Sequence, residues 1–295
     1  MRGELTLAQE TAESFLRDAE TEGRMTEAVV ARRNVGIARL YQGEFIGAKA
    51  NLAEALRTYD PERDGDAKFR FGADPAAVAT GYLMQASWAL GDVERARALG
   101  QEALARADAT AHAVTCAVVY GLVSLYQMLR GDPEAVRRAG TIQVELSLEH
   151  GMALLLAWGE VESIWARAWL GDPQSGMKGL REALAAYLGQ GNKLFVPLFQ
   201  GRLAELETEG YDADGALRRI DEALALASET GERWTDALPT SSAAKSYSSA
   251  IRRTPRRPRR PFAPPSLSGE RRRREASNCK RRWRWPSSTN RPPAP

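Results

Sequence analysis

The sequence predicts an all-α fold built as an array of helical hairpins, and three observations predict it. A glycine turn returns at Leu90-Gly91-Asp92-Val93, Arg130-Gly131-Asp132-Pro133 and Leu170-Gly171-Asp172-Pro173, its glycines 40 residues apart. Gln42-Gly43-Glu44 fills the same slot earlier and Tyr211-Asp212 fills it later. On both sides of each turn, apolar residues recur at spacings of three and four, the mark of a helix with one buried face. Residues also line up behind the turn. Five positions on stand Ala48, Ala96, Val136, Gly176 and Ala216; nine on stand Leu52, Gly100, Gly140, Leu180 and Ile220. Twelve on stand Ala55, Ala103, Gln143, Ala183 and Ala223. Mostly small residues at such positions let two helices approach closely, with Gln143 the exception.

Residues 5–23 form the first predicted helix, with Leu5, Ala8, Ala12, Leu16 and Ala19 on one face and Gly23 as its stop. No partner helix precedes it, so the array is expected to begin in mid-hairpin. Ala28–Tyr41 and Phe45–Tyr59 make the next pair, joined at Gly43. An irregular insertion follows from Asp60-Pro61-Glu62-Arg63 to Gly72-Ala73-Asp74-Pro75, and it accounts for the 48 residues between Gly43 and Gly91. Four further pairs are predicted: Ala76–Leu90 with Val93–Ala107, Ala113–Leu129 with Glu134–His150, Leu154–Leu170 with Gln174–Leu188, and Phe195–Glu209 with Ala213–Ser228. A two-helix repeat near 40 residues falls in the range of helical solenoids, slightly longer than the roughly 34 residues of a tetratricopeptide (TPR) unit. The expectation is a right-handed TPR-like solenoid of about five repeats over residues 1–236.

The remaining residues, 237–295, obey other rules. From Thr235 onward there are 16 Lys and Arg against 3 Asp and Glu, and ten of the fifteen prolines. Residues 1–234 hold 25 basic and 35 acidic residues, so a net charge of +3 conceals about −10 and +13. Arg252-Arg253-Thr254-Pro255-Arg256-Arg257-Pro258-Arg259-Arg260-Pro261 cannot be helical with proline every third residue. Few aliphatic residues remain to make a core, so a disordered Arg/Pro-rich tail is expected. Its functional reading is a basic arm for nucleic acid, with Trp283 and Trp285 as stacking groups. The favoured reading is frameshifted sequence. Arg274–Thr289, reverse-translated with GC-leaning codons and read two nucleotides later, allows an amphipathic Glu-Leu-Gln-Ala-Ala-Leu-Ala-Leu-Ala-Lys-Leu-Tyr. Its end echoes Ala38-Arg39-Leu40-Tyr41.

Chemistry is sparse. Two histidines, His112 and His150, leave little for a metal site or a catalytic triad. His150 ends a helix, where it suits the dipole as a cap. Cys116 sits among Ala113, Val114, Ala117 and Val118, as a small hydrophobe would. With Cys279 it makes no disulfide framework, which fits a reducing, cytoplasmic compartment. No run of about 18 apolar residues spans a membrane. Gly171–Lys178 is a poor phosphate loop, with Met177 in the lysine slot. Glu160 and Glu162 read as a solvated face. No catalytic residue, metal ligand or cofactor is expected. The binding candidates are Trp158, as an aromatic lining a groove that grips a peptide, and Arg70, Phe71 and Asp74 in the insertion. A plainer role for the last group is an Arg70–Asp74 pair that locks the loop.

The segments Tyr59-Asp60-Pro61-Glu62-Arg63, Phe69-Arg70-Phe71-Gly72-Ala73-Asp74-Pro75, Leu156-Ala157-Trp158-Gly159 and Glu222–Trp234 also carry a family resemblance. In that order they resemble the TPR-like C-terminal region of large bacterial signalling proteins. Those proteins join a class III adenylate/guanylate cyclase domain, or a DNA-binding domain, to an AAA/STAND-type ATPase and then to the array. The resemblance covers roughly residues 5–236. In the family the insertion reads Phe-Arg-Tyr-Gly-Gln-Asp-Pro, so Phe71 and Ala73 depart mildly. The cyclase aspartates and the ATPase phosphate loop have no counterpart here, so catalysis does not transfer. The resemblance implies a truncated sensor or interaction arm. Its partners would be a protein or peptide, or cyclase and ATPase effector domains encoded separately, with nucleic acid only through the tail.

Overall fold

The computed structural model describes residues 3–171, 173–209 and 213–237. Among them are thirteen α-helices and a 3-10 helix, with no strand. The expected tail lies outside the described residues, save Ala237.

The chain opens with α1 (Leu5–Thr21), α2 (Met25–Tyr41), α3 (Phe45–Thr58), α4 (Pro61–Asp64) and α5 (Ala67–Phe71). Then come α6 (Pro75–Ala89), α7 (Val93–Thr110), α8 (Ala113–Arg130), α9 (Pro133–Glu149), α10 (Ala153–Leu170) and α11 (Pro173–Gly189). Helices α12 (Val196–Glu209) and α13 (Ala213–Thr230) and a 3-10 turn at Trp234–Ala237 complete the set.

The glycine turns end helices for a backbone reason. Gly43, Gly91 and Gly131 all have φ between 72° and 85°, a region that only glycine enters without steric cost. The following N–H then reaches back over the helix end: Glu44 to the Arg39 carbonyl at 2.9 Å, Asp92 to Ser87 at 2.9 Å, Asp132 to Gln127 at 3.1 Å. The next helix starts on a proline with an aspartate cap at α6 and α9, where Asp74 and Asp132 accept the Ala77 and Ala135 amides at 2.7 and 3.0 Å. Gly171 departs from the pattern, with φ −141° and ψ −115°. The Tyr211-Asp212 slot lies outside the described residues.

A second turn recurs between hairpins. Gly151, Gly191 and Gly231 have φ of 65°, 78° and 73°, and Ala111 holds the same register at φ 47°. The 40-residue spacing of these three glycines is visible in the sequence, and it marks where one hairpin ends and the next begins.

Consecutive helices pack on one another from α1 to α3, from α3 to α6 across the insertion, and onward to α13. Helices α2, α6, α8, α10 and α12 also touch in succession. They form one layer, with the alternate helices leaning on it. The aligned small residues lie at these seams: Ala48, Ala96, Val136 and Ala216 are all buried. Gln143 is buried as well, and its exception is explained by two glycines. A Cβ at Gly121 would stand 2.7 Å from Gln143 Nε2, and one at Gly159 would stand 3.0 Å from its Cδ. The amide donates from Nε2 to the Leu155 carbonyl at 3.1 Å, which offsets part of the cost of a buried polar chain, while Oε1 has no hydrogen-bond partner.

The insertion is not irregular. It folds as α4 and α5, because Asp60 caps α4 through the Glu62 and Arg63 amides and Asp64 anchors it. Asp64 is fully buried and takes hydrogen bonds from Arg63 Nε (2.8 Å), Arg63 Nη2 (2.7 Å), Thr26 Oγ1 (2.6 Å) and the Asp60 amide (2.9 Å). One helix, α8, is long and apolar enough to cross a membrane by length and composition, contrary to the expectation. More than half of it is buried against its neighbours, as a core helix would be.

Candidate functional site

The four candidate residues fall in two places. Arg70 and Phe71 lie together on α5, with the guanidinium 5.0 Å from the Phe71 ring centroid. Arg70 does not pair with Asp74. Its Nη2 donates to Glu27 Oε1 at 2.6 Å and so ties the insertion to α2. Arg70 lowers the Glu27 carboxyl below its usual range, more than offsetting the effect of burial. Asp74 is buried and turned inward: besides capping α6 it accepts from the Tyr59 hydroxyl at 3.2 Å, and its amide donates to Thr115 Oγ1 at 2.9 Å. The outward surface of the insertion is instead Lys68, Phe69 and Arg70. Phe69 is 69% exposed, edge-on to His112 at 5.5 Å, and Lys68 donates to the Thr110 carbonyl at 3.1 Å.

Trp158 lies in the interior. Its indole N–H donates to Glu162 Oε1 at 2.6 Å, and its ring is covered by Phe195 at 5.1 Å. Phe195 belongs to the segment between α11 and α12 and holds φ at 70°, a strained value for an aromatic residue. Around it gather Tyr41 (5.5 Å), Trp234 (5.9 Å) and Phe199 (6.1 Å), all near edge-on. Tyr41 adds an edge contact and a 3.2 Å hydroxyl hydrogen bond to Tyr82. The Tyr187 hydroxyl donates to the Leu194 carbonyl at 2.9 Å and fixes the same segment. Trp158 therefore meets Glu162 of its own helix and Phe195, and Phe195 in turn gathers rings from α2, α12 and the 3-10 turn.

Charged groups are buried at this centre. Glu162, expected on a solvated face with Glu160, is fully buried while Glu160 is exposed. Two residues apart on a helix lie about 200° apart around the axis, so the pair cannot share a face. Burial pushes the Glu162 carboxyl up to about 8, tempered by Ser124 and the Trp158 indole. Ser124 Oγ stands beside the carboxylate without closing a hydrogen bond, and Oε2 has no partner either. Glu232 is likewise pushed up by burial to about 7, offset in part by the Trp234 indole and the Phe195 backbone. Arg33, also buried, offers Nε and Nη2 to Asn34 Oδ1 at 3.2 and 3.0 Å. Burial lowers it to about 10, against the pull of Tyr82 and Asp74. Glu232 and Arg33 were not singled out from the sequence, and Glu162 was placed on a solvated face, because a lone Arg or Glu carries no burial signal. The glycine register offered the one available clue, since Gly191 and Gly231 shortly precede Phe195 and Trp234, whose rings meet.

The remaining chemistry is modest. Cys116 is half-buried, its Sγ donating to the Ala107 carbonyl at 3.3 Å, and burial raises its thiol. His150 is the C-cap of α9. His112 is the N-cap of α8 and is lowered by burial and by Lys68. Among the described residues no group of three His, Cys, Asp or Glu could hold a metal ion. No protein-family model matches the chain, and no curated protein matches it in sequence.

Proposed function

We propose that the helical part of this chain is a TPR-like solenoid and serves as a non-catalytic interaction or regulatory scaffold. The observation that carries this reading is the repeated packing: α2, α6, α8, α10 and α12 touch in succession while each also pairs with its hairpin partner. A unit that buries its apolar face only by stacking on the next is the defining property of helical repeat arrays. The segments resembling cyclase-linked ATPase regulators favour a signalling arm, with cyclase or ATPase effector domains as its partners and the cytoplasm as its setting. The exposed insertion face of Lys68, Phe69 and Arg70 is the contact surface this reading prefers, since loops on a rigid scaffold carry recognition.

The competing reading, a nucleic-acid binder, draws on the excess of positive charge after Thr235. The two separate in one titration. The full chain and a chain ending at Ala237 are titrated into a labelled DNA duplex at 50 and 200 mM salt, alongside assays for ATP and GTP cyclisation. The scaffold reading expects no cyclisation and no binding by the shortened chain. Cyclisation by this chain would overturn it. Tight binding by the full chain alone, lost steeply with salt, would move the function to the tail.

A further inference from the structure

Two tryptophan–glutamate pairs meet at Phe195. The Trp158 indole donates to Glu162 Oε1 at 2.6 Å, and the Trp234 indole donates to Glu232 Oε1. The Phe195 ring lies 5.1 Å from Trp158 and 5.9 Å from Trp234. With φ at 70°, Phe195 is held there by its neighbours and not by its own backbone preference. Both carboxyls are at most 1% exposed, and the Oε2 of each has no hydrogen-bond partner.

Nothing around them supplies a compensating charge. Among the described residues neither carboxyl forms an ion pair, and the cations of the packed elements are committed elsewhere. Arg33 on α2 bonds Asn34 at 3.0 Å, and Arg202 on α12 pairs with Glu205 at 3.0 Å and reaches the Met128 carbonyl at 2.7 Å. Lys193, two residues before Phe195, pairs with Glu229 of α13 at 2.5 Å, and Arg233 is exposed. Glu232 faces the phenols of Tyr41 on α2 and Tyr187 on α11, and its amide donates to Thr230 Oγ1 at 3.3 Å. Glu162 faces Tyr187 and Ser124 of α8. Tyr41 donates to Tyr82 of α6 at 3.2 Å and Tyr187 to the Leu194 carbonyl at 2.9 Å, so neither phenol serves a carboxylate. Burial raises all three phenols, which stay neutral while the carboxyls titrate.

The two acids differ in what carries them. Glu162 lies in the middle of α10. Glu232 lies in the short link between α13 and the 3-10 turn, where the attachments are few. They are the Arg233 amide on the Tyr41 carbonyl at 2.7 Å and the Trp234 ring on Tyr41 and Phe195.

We propose that Glu232 and Trp234 form a proton-operated latch. With the Glu232 carboxyl neutral, the 3-10 turn stays closed on Phe195 and Tyr41; when the carboxyl ionises, the turn releases and bares that aromatic face while the helices stay folded. A neutral carboxyl tolerates a dry site with one donor. A carboxylate there is an unpaired buried charge, and release into water is its least costly relief. Burial sets the closed carboxyl at about 7, against an ordinary value of 4.5 once released. The latch is therefore tightest below about pH 4.5, loosens as pH rises and is loosest above about pH 7. It depends on neither the array reading nor any partner.

The test is hydrogen exchange with mass spectrometry on the full chain at about pH 5 and pH 8, each rate scaled to that of an unstructured peptide at the same pH. Protection of residues 232–237 is expected to fall at least ~10-fold between the two in wild type and in Glu162→Gln. Glu232→Gln keeps an acceptor for the indole and cannot ionise, so its change should stay under ~2-fold. Residues 122–128 of α8 should remain at least ~100-fold better protected than the turn at pH 8, since the release is local. Equal wild-type protection at both pH values, an undiminished fall in Glu232→Gln, a fall abolished by Glu162→Gln, or α8 exchanging as fast as the turn would overturn the latch. Circular dichroism checks the helix content of each variant, and the wild-type comparison of the turn with α8 decides the matter for a variant that does not fold.

Discussion

The backbone amide of Arg233 donates to the carbonyl oxygen of Tyr41 at 2.7 Å. This bond joins the end of α2 to the segment after α13, and Trp234 follows at once with its ring 5.8 Å from that of Tyr41. Helix α2 and the segment after α13 are thereby stitched together through backbone and ring contacts, with Phe195 between them. Trp234→Ala removes the ring and leaves Glu232 without its indole donor. A loss of about 3–5 kcal/mol is expected for a buried aromatic truncation, read as a drop in the urea midpoint. A change under ~0.5 kcal/mol, the range of an ordinary surface substitution, would show that the closure does not hold the fold.

The buried acids set a pH dependence of unusual sign. Burial raises Glu162 to about 8 and Glu232 to about 7, so the folded state holds protons that the unfolded chain releases near 4.5. Their contribution is complete below about pH 4.5 and fades as pH rises through about 7 and 8. The thermal midpoint should therefore fall between pH 5 and pH 8. Glu162→Gln keeps the shape, removes the titration and should flatten much of that slope. An unchanged slope in the variant would contradict the burial of this carboxyl.

Asp64 acts in the opposite sense. Burial alone would raise it, but Arg63, the Asp60 amide and Thr26 together hold it below its usual value. Its stabilising effect is present above the unfolded pKa near 3.8 and disappears as pH falls below that. Asp64→Ala is expected to cost about 3 kcal/mol at neutral pH, because it strips a fully buried acceptor from four donors. Arg70→Ala, which breaks an ion pair with a half-exposed arginine, should cost under ~1 kcal/mol. Paired chemical denaturation curves check both, and equal effects would mean that the insertion is not anchored at Asp64.

Gly43 and Gly91 share a positive φ but not their surroundings. A Cβ at Gly43 would meet the Arg233 carbonyl oxygen at 3.2 Å, while at Gly91 nothing lies within 4 Å. Gly91→Ala should cost about 1–2 kcal/mol, the backbone term alone. Gly43→Ala should cost more, since it also pushes on the Arg233 closure. Equal losses in thermal melts would contradict the contact between these turns.

Much of the helical order was legible because period and punctuation agreed. Gly91 and Gly131 set a spacing, and apolar residues at three and four fixed the helix faces. The insertion was misread because Asp64 anchors it in part through Thr26, which lies far away in sequence. Trp158 was recognised as unusual, but its neighbours were not. Phe195 reaches it only by tertiary packing, which no local pattern records, whereas Glu162 is its neighbour four residues on along α10. Arg70 was paired with its sequence neighbour Asp74, whereas its partner, Glu27, lies on α2.

The central claim is that the helical scaffold, and not the basic tail, engages a partner. The most direct measurement is lysine crosslinking with mass spectrometry in the source cells. It compares the full chain with one ending at Ala237, following adducts at Lys49, Lys68 and Lys193. The account predicts the same partner protein on both chains, with Lys68 crosslinked in each. Nucleic acid alone on the full chain, and no crosslinked protein on the shortened one, would contradict it.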